Sequence, residues 1–374
     1  MRSHEGRRLL LWRIKASLVH FASRFGNYRT FSSGPRVRID YMQKGGVGVA
    51  LSVLYSFFAE VDVIDGIEPS GDYLGEIEYQ MQRVTDEIES RHGDTAAIVA
   101  NPLQLQEAQA AGKIALVHCV EGGFHLGPTP GDVRRSVHAL ADRGVAYITL
   151  AHLIWRKVAT DAPALPWWND AQYHRWLPQP DIGLSDLGKA AVEAMVERHV
   201  LIDLSHMSGK SIADTFELLD VLDGKSGETT PVLFTHAGFR FGEQEYMLDR
   251  KTVEEVHRRK GVIGLIMARH QIEDRVPRRE RPRLPRPAGH RFERSFEILC
   301  EHIEAIHDIT GSYENVAIGS DFDGFIKPTL AGLEDMRDMA SLETALIGEL
   351  GATTAAAICS GNAMGLLTGY WRGA

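Results

Sequence analysis

The chain has 374 residues, 44% hydrophobic and 24% charged, the make-up of an ordinary soluble globular enzyme rather than a fibrous or disordered protein. A formal net charge of −9 argues against a nucleic-acid or anionic-membrane partner. Three cysteines, Cys119, Cys300 and Cys359, are odd in number and lack C-x-x-C spacing, so they predict neither a disulfide scaffold nor a zinc ribbon and suit a reducing cytoplasm.

At the N-terminus, "GRRLLLWRIKASLVHFASRF" (6–25) carries its apolar residues at helical spacing. Its longest apolar run, residues 9–12, is too short for a signal-peptide core or a membrane span. The first strand-like run is "VGVALSVLY" (47–55), followed by a helical pattern at 73–92. Then come "KIALVHCV" (113–120), a helix at 133–144 and "VAYITLAH" (145–152). After a helix at 187–199 stand "VLIDLSH" (200–206) and "PVLFTH" (231–236). A helix at 252–260, "GVIGLIM" (261–267), a helix at 291–309 and "VAIGSDF" (316–322) complete the series. Continuous apolar runs suit strands buried on both faces, and their alternation with helices predicts a parallel α/β fold. A (β/α)8 TIM barrel leads, with its first strand missing or degenerate, because seven strands are visible where eight are needed. A doubly wound sheet is second: "GGVGVA" (45–50) precedes its strand instead of following it, which makes a poor dinucleotide fingerprint. The expected organisation is an N-terminal helical segment over 1–36 and one barrel over 37–374. Two long loops, 153–184 and 268–290, follow strands and fall on the face where barrels build active sites; the Arg/Pro-rich second one reads as a solvated excursion.

Chemistry gathers at the strand ends. Glu121, followed by Gly122 and Gly123, closes one strand; His152, His206 and His236 close three more; Asp321 and Asp323 close the last. One buried ionisable group costs several kcal/mol, roughly, unless paired or metal-bound, so five such strands are hard to explain by packing. Neutral imidazoles with a carboxylate form the ligand set of zinc or a similar divalent ion. The two glycines let backbone approach a site closely. His118 and His125 have weaker claims, His118 being inside a strand where packing accounts for it.

In order and approximate spacing, "VHCVEGG", "ITLAH", "GLSDLGKAAVEAMVERHVLIDLSH", "PVLFTHAGFR", "GVIGL" and "IGSDFDG" resemble the membrane (renal-type) dipeptidases, peptidase family M19, in their soluble bacterial form. "GLED" (332–335) and "ICSGNAMGLL" (358–367) are similar to that family's C-terminal region, so the likeness covers roughly residues 37–370. It implies a metal-dependent barrel with two zinc ions that hydrolyses dipeptides, in family members that are often homodimers. By that resemblance Glu121 matches the metal-bridging glutamate, and His206 and His236 complete the second metal. His152 matches the histidine that steadies the scissile carbonyl, and Asp321 the acid–base aspartate. Arg240 is matched to a clamp for the substrate carboxylate, with Arg250 as competitor.

The family's first-strand H-x-D motif is absent: Glu5 and Gly6 follow His4, and Phe21 and Ala22 follow His20. One three-ligand metal site is thus clearly retained. The leading expectation is a zinc metallodipeptidase; the alternatives are a silent relative keeping one metal, and a hydrolase of another small amide or ester.

Overall fold

The computed structural model describes residues 35–61, 74–165, 168–274, 291–324, 326 and 329–374. The N-terminal helical pattern, His4, His20 and most of the Arg/Pro-rich loop lie outside the described residues.

All seven expected strands form: β1 (Val49–Leu54), β3 (Ile114–Glu121), β4 (Tyr147–Thr149), β5 (Leu201–Asp203), β6 (Val232–Ala237), β7 (Val262–Ile266) and β8 (Val316–Gly319). They pair in parallel in the order β1-β3-β4-β5-β6-β7-β8, giving a curled sheet. An eighth strand, β2 (Ala96–Val99), pairs with β3 outside this path. Four residues, AAIV, are too short a run to stand out in the sequence. Among the described residues β1 pairs only with β3 along that path, and β8 only with β7. Among the described residues, therefore, no pairing closes the curl between β1 and β8.

Helices Gly75–Arg91, Pro130–Ala141, Asp186–Arg198, Arg250–Arg258 and Arg291–Thr310 form where periodicity predicts them. Several begin on a side-chain cap: Thr129 accepts from Asp132 N–H, Ser185 from Leu187 and Gly188 N–H, and Asp249 from Thr252 N–H. Helices Pro102–Ala110 and Gly209–Ser226 add to the set.

Alternation along the strands sorts the side chains into layers. Cys119, Tyr147, Leu201, Leu233 and Ala317 share a buried apolar cluster. Two residues further along each strand, on the same face, stand Glu121, Thr149, Asp203, Thr235 and Gly319. An apolar floor thus carries a mostly polar layer at the C-terminal ends of the strands. His118, three residues before Glu121, falls on the opposite face; it is buried, and burial pushes its pKa down to about 4.

Two strands stop short of their histidines. β4 ends at Thr149 and β5 at Asp203, so His152 and His206 lie three residues beyond them instead of at the strand ends. The reason at β5 is chemical: the Asp203 carboxylate takes the Ser205 N–H (3.1 Å) and the Thr235 N–H (3.0 Å), groups a continued ladder would use.

Candidate metal centre

Glu121, His206 and His236 converge. His206 Nε2 and His236 Nε2 face each other at 2.8 Å, and Glu121 Oε1 lies 3.6 Å and 3.5 Å from them. A zinc-like ion sits about 2.0–2.1 Å from such ligands, which spaces them at roughly 3.3 Å in a tetrahedron. The triangle fits. Two imidazole nitrogens turned on each other with a carboxylate beside them also make poor packing and a good cation cradle. All three side chains are nearly enclosed.

The protonation pattern agrees with that use. Thr235 Oγ1 donates to Asp203 Oδ2 (2.7 Å), so toward His236 Nδ1, also 2.7 Å away, it can only accept. Nδ1 of His236 therefore carries the proton and Nε2 presents a lone pair to the centre. His206 is held below the ordinary histidine range by burial and by the neighbouring His152 and His236, which keeps it in the neutral form a metal requires. Its backbone is left-handed, with φ 66°, a conformation that costs a non-glycine residue on the order of 1 kcal/mol. The Asp161–Met207 bridge and the Ala162 N–H donated to the His206 carbonyl (2.6 Å) hold it there.

His152 stands on the other side of Glu121, with Nε2 3.6 Å from Oε2. Its Nδ1 lies 2.7 Å from Oε2 of Glu60, and its main-chain N–H donates to Asp161 Oδ1 at 2.7 Å. Burial opposes charge on this imidazole, but Glu60 and Glu121 raise its pKa to about 9. Glu60, fully enclosed, would rise on burial alone; the charge of His152 and the bonds from His152, Tyr55 and Ile154 hold it below the usual carboxylate range. Asp321 is pushed up, chiefly by burial and also by the charges of Glu121 and Asp203, while His236 and His152 pull it back. Its φ is 55°.

The structure separates the remaining candidates. Arg240 donates from Nε to the Met247 carbonyl (2.7 Å) and from a terminal nitrogen to the Glu245 carbonyl (2.8 Å), anchoring its own loop. Arg250 faces solvent on its helix, 3.7 Å from Glu254. Asp323 accepts the main-chain N–H groups of Arg36 and Val37 at 3.1 Å, tying down the start of the described chain. His125 accepts from Ser56 N–H through Nε2 at 3.3 Å. Gly122 and Gly123 do allow a close approach, but to the end of β4: a Cβ on Gly123 would meet the Leu150 carbonyl oxygen at 2.8 Å.

Sequence reasoning missed Glu60, Asp161, Asp203 and Thr235. Asp203 left a signal, an aspartate inside the apolar run "VLIDL". Glu60 in "FFAEV" left none, because its partner is 92 residues away.

Among the described residues, no helix is long and apolar enough to cross a membrane. The sequence model of the membrane dipeptidases, peptidase family M19, matches residues 12–368. An uncharacterised dipeptidase of Schizosaccharomyces pombe is 30% identical over 243 residues, 65% of this chain and 49% of its own. Dipeptidase verJ of Clonostachys rogersoniana is 25% identical over 272 residues, 71% of this chain and 59% of its own. The chain thus spans about half the length of the curated relatives it matches. Among solved structures, the probable dipeptidase PvdM of Pseudomonas aeruginosa superposes with a TM-score of 0.68 at 18% identity, covering 91% of this chain and 90% of its own. A metallo peptidase of Rhodobacter sphaeroides, solved with a phosphinate mimic of the dipeptide L-Ala-D-Ala, gives 0.68 at 18% identity and 95% coverage of both chains. At such identities the superpositions speak for the fold, a TIM barrel of the dipeptidase type. Motifs, barrel and matched length together identify the chain as a member of the membrane dipeptidase family, peptidase family M19.

Proposed function

We propose that the protein is a zinc-type metallodipeptidase whose metal is held by Glu121, His206 and His236. The observation that carries this reading is the triangle of three ligand atoms with edges of 2.8, 3.5 and 3.6 Å, each atom turned inward. Bound there, the ion supplies Lewis acidity and an acidified water as nucleophile. The remaining steps belong to side chains of this chain. His152 offers Nε2 to the oxygen on which charge develops. Asp321, raised enough to hold a proton near neutrality, passes it to the leaving amine. Arg240, its Nε and one terminal nitrogen bonded to the Met247 and Glu245 carbonyls, is the candidate clamp for the substrate carboxylate. The phosphinate dipeptide mimic held by the Rhodobacter relative supports a small peptide as the substrate class.

The test is elemental analysis of the purified protein and of Glu121→Ala, followed by hydrolysis assays of the metal-loaded wild type and Asp321→Asn. The expected result is metal lost on Glu121→Ala, dipeptide hydrolysis by the wild type, and a fall of about 100-fold or more in kcat for Asp321→Asn. Failure to cleave any dipeptide, or an unaffected Asp321→Asn, overturns the reading. Cleavage confined to N-acyl amino acids or lactones would keep the metal centre and replace the substrate.

A further inference from the structure

Glu60 has no counterpart among the motifs that define the site, yet it lies against it. It sits in the short helix Phe57–Val61, just after β1, and its side chain is fully enclosed. Four donors converge on its two oxygens. Oε1 accepts the main-chain N–H groups of Leu153 (2.7 Å) and Ile154 (2.9 Å). Oε2 accepts the Tyr55 hydroxyl and faces His152 Nδ1 at 2.7 Å. A buried carboxylate is tolerated where its lone pairs are matched in this way. One side chain thereby ties the chain after β1 to the loop after β4.

The consequence falls on His152. With its oxygens already accepting Tyr55, Leu153 and Ile154, the ionised Glu60 can only accept, so the proton between it and His152 belongs to Nδ1. The bond from Nδ1 to Glu60 then sets the ring's orientation, and the main-chain N–H on Asp161 Oδ1 holds the segment that carries it. Its remaining nitrogen, Nε2, points to Glu121 Oε2 at 3.6 Å and is the one left for a substrate. We propose that Glu60 is a positioning residue: its buried carboxylate fixes the His152 ring and holds a proton on Nδ1, so that Nε2 alone faces the reacting group. The proposal rests on the dipeptidase reading above for its effect on catalysis, though not for its effect on the imidazole.

Glu60→Gln is the informative variant. The amide keeps one oxygen for Leu153 and Ile154 and turns its NH2 on His152, so Nδ1 must become the acceptor and gives up its proton, while Nε2 keeps one. The experiment is long-range proton–nitrogen correlation NMR of protein labelled with 15N-histidine, with His152 assigned by its loss in His152→Gln, alongside steady-state kinetics and metal content. The expected result is a protonated Nδ1 in the wild type and an unprotonated Nδ1 in Glu60→Gln. With it should come a fall in kcat of about 10–100-fold, with KM and metal content within about twofold of wild type. Glu60→Gln that keeps both a protonated Nδ1 and the wild-type kcat overturns the proposal. So does an unprotonated Nδ1 in the wild type, a result that needs no folded Glu60 variant. A wild type that turns over no substrate would defeat the dipeptidase reading, and the Nδ1 proton would still decide the role of Glu60.

Discussion

Asp203 is the residue on which stability and metal binding should fall together. It is fully buried between β5 and β6 and accepts five hydrogen bonds: Thr149 Oγ1 (2.6 Å), Thr235 Oγ1 (2.7 Å), Ser205 Oγ (2.8 Å), Thr235 N–H (3.0 Å) and Ser205 N–H (3.1 Å). In Asp203→Ala two of these donors have somewhere else to turn. Ser205 and Thr235 hydroxyls are 3.2 Å apart, and Thr235 can donate to His236 Nδ1. Three are stranded: the Thr149 hydroxyl and the two main-chain N–H groups. Each unpaired buried donor costs about 1–3 kcal/mol; with water entering the space, the total should be about 3–5 kcal/mol. Asp203→Asn keeps one acceptor oxygen and should lose only about 1–2 kcal/mol.

The effect on the metal has a different route. Without the carboxylate, the Thr235 hydroxyl no longer has to accept from His236 and can donate to it, which moves the proton to the nitrogen that should face the ion. Loss of such outer support lowers metal affinity by about 10–100-fold. Urea unfolding read by circular dichroism and a competitive metal titration measure the two quantities. Asp203→Ala within about 1 kcal/mol of wild type, or unchanged metal affinity in both variants, would refute the reasoning.

Two further perturbations test the surroundings. Burial pushes the Asp161 pKa up to about 8, one of its oxygens accepting the His152 N–H and the other finding no partner among the described residues. The unfolded carboxyl ionises near pH 4, so between about pH 4 and pH 8 the native state binds the extra proton and stability must fall as pH rises. Asp161→Asn should therefore gain on wild type through that window and no further above it; a pH-independent difference in unfolding free energy would contradict the burial argument. At the far side of the fold Arg259 is fully buried, bonded to Asp220, to Asp223 (2.7 Å), to Glu255 (2.9 Å) and to the Phe216 carbonyl (3.2 Å). Arg259→Ala should cost about 3–5 kcal/mol because the largely buried Asp223 loses its cation, whereas Asp220 and Glu255 keep Arg258, and a denaturant midpoint close to wild type would show the network to be dispensable.

Much of this protein was determined by the sequence alone. Strands covered on both faces must be apolar along their length, and such runs are visible without a partner, which is why "KIALVHCV" and "PVLFTH" could be placed at once. The repetition of helix and strand then leaves few architectures. The candidate cluster was legible for a related reason: an imidazole or carboxylate closing a buried run is anomalous wherever the chain goes, and Glu121, His206 and His236 each were. What only the tertiary structure decided depends on contacts between distant segments. Glu60 meets His152 across 92 residues, and Thr149 meets Asp203 across 54. No local pattern encodes such a meeting, because a hydrogen bond depends on where the strands carry its two ends and not on what surrounds either in the chain. Nor could the sequence show that β5 halts at Asp203 and leaves His206 in a left-handed turn, since a carboxylate that displaces a ladder becomes visible only once the neighbouring strand is beside it.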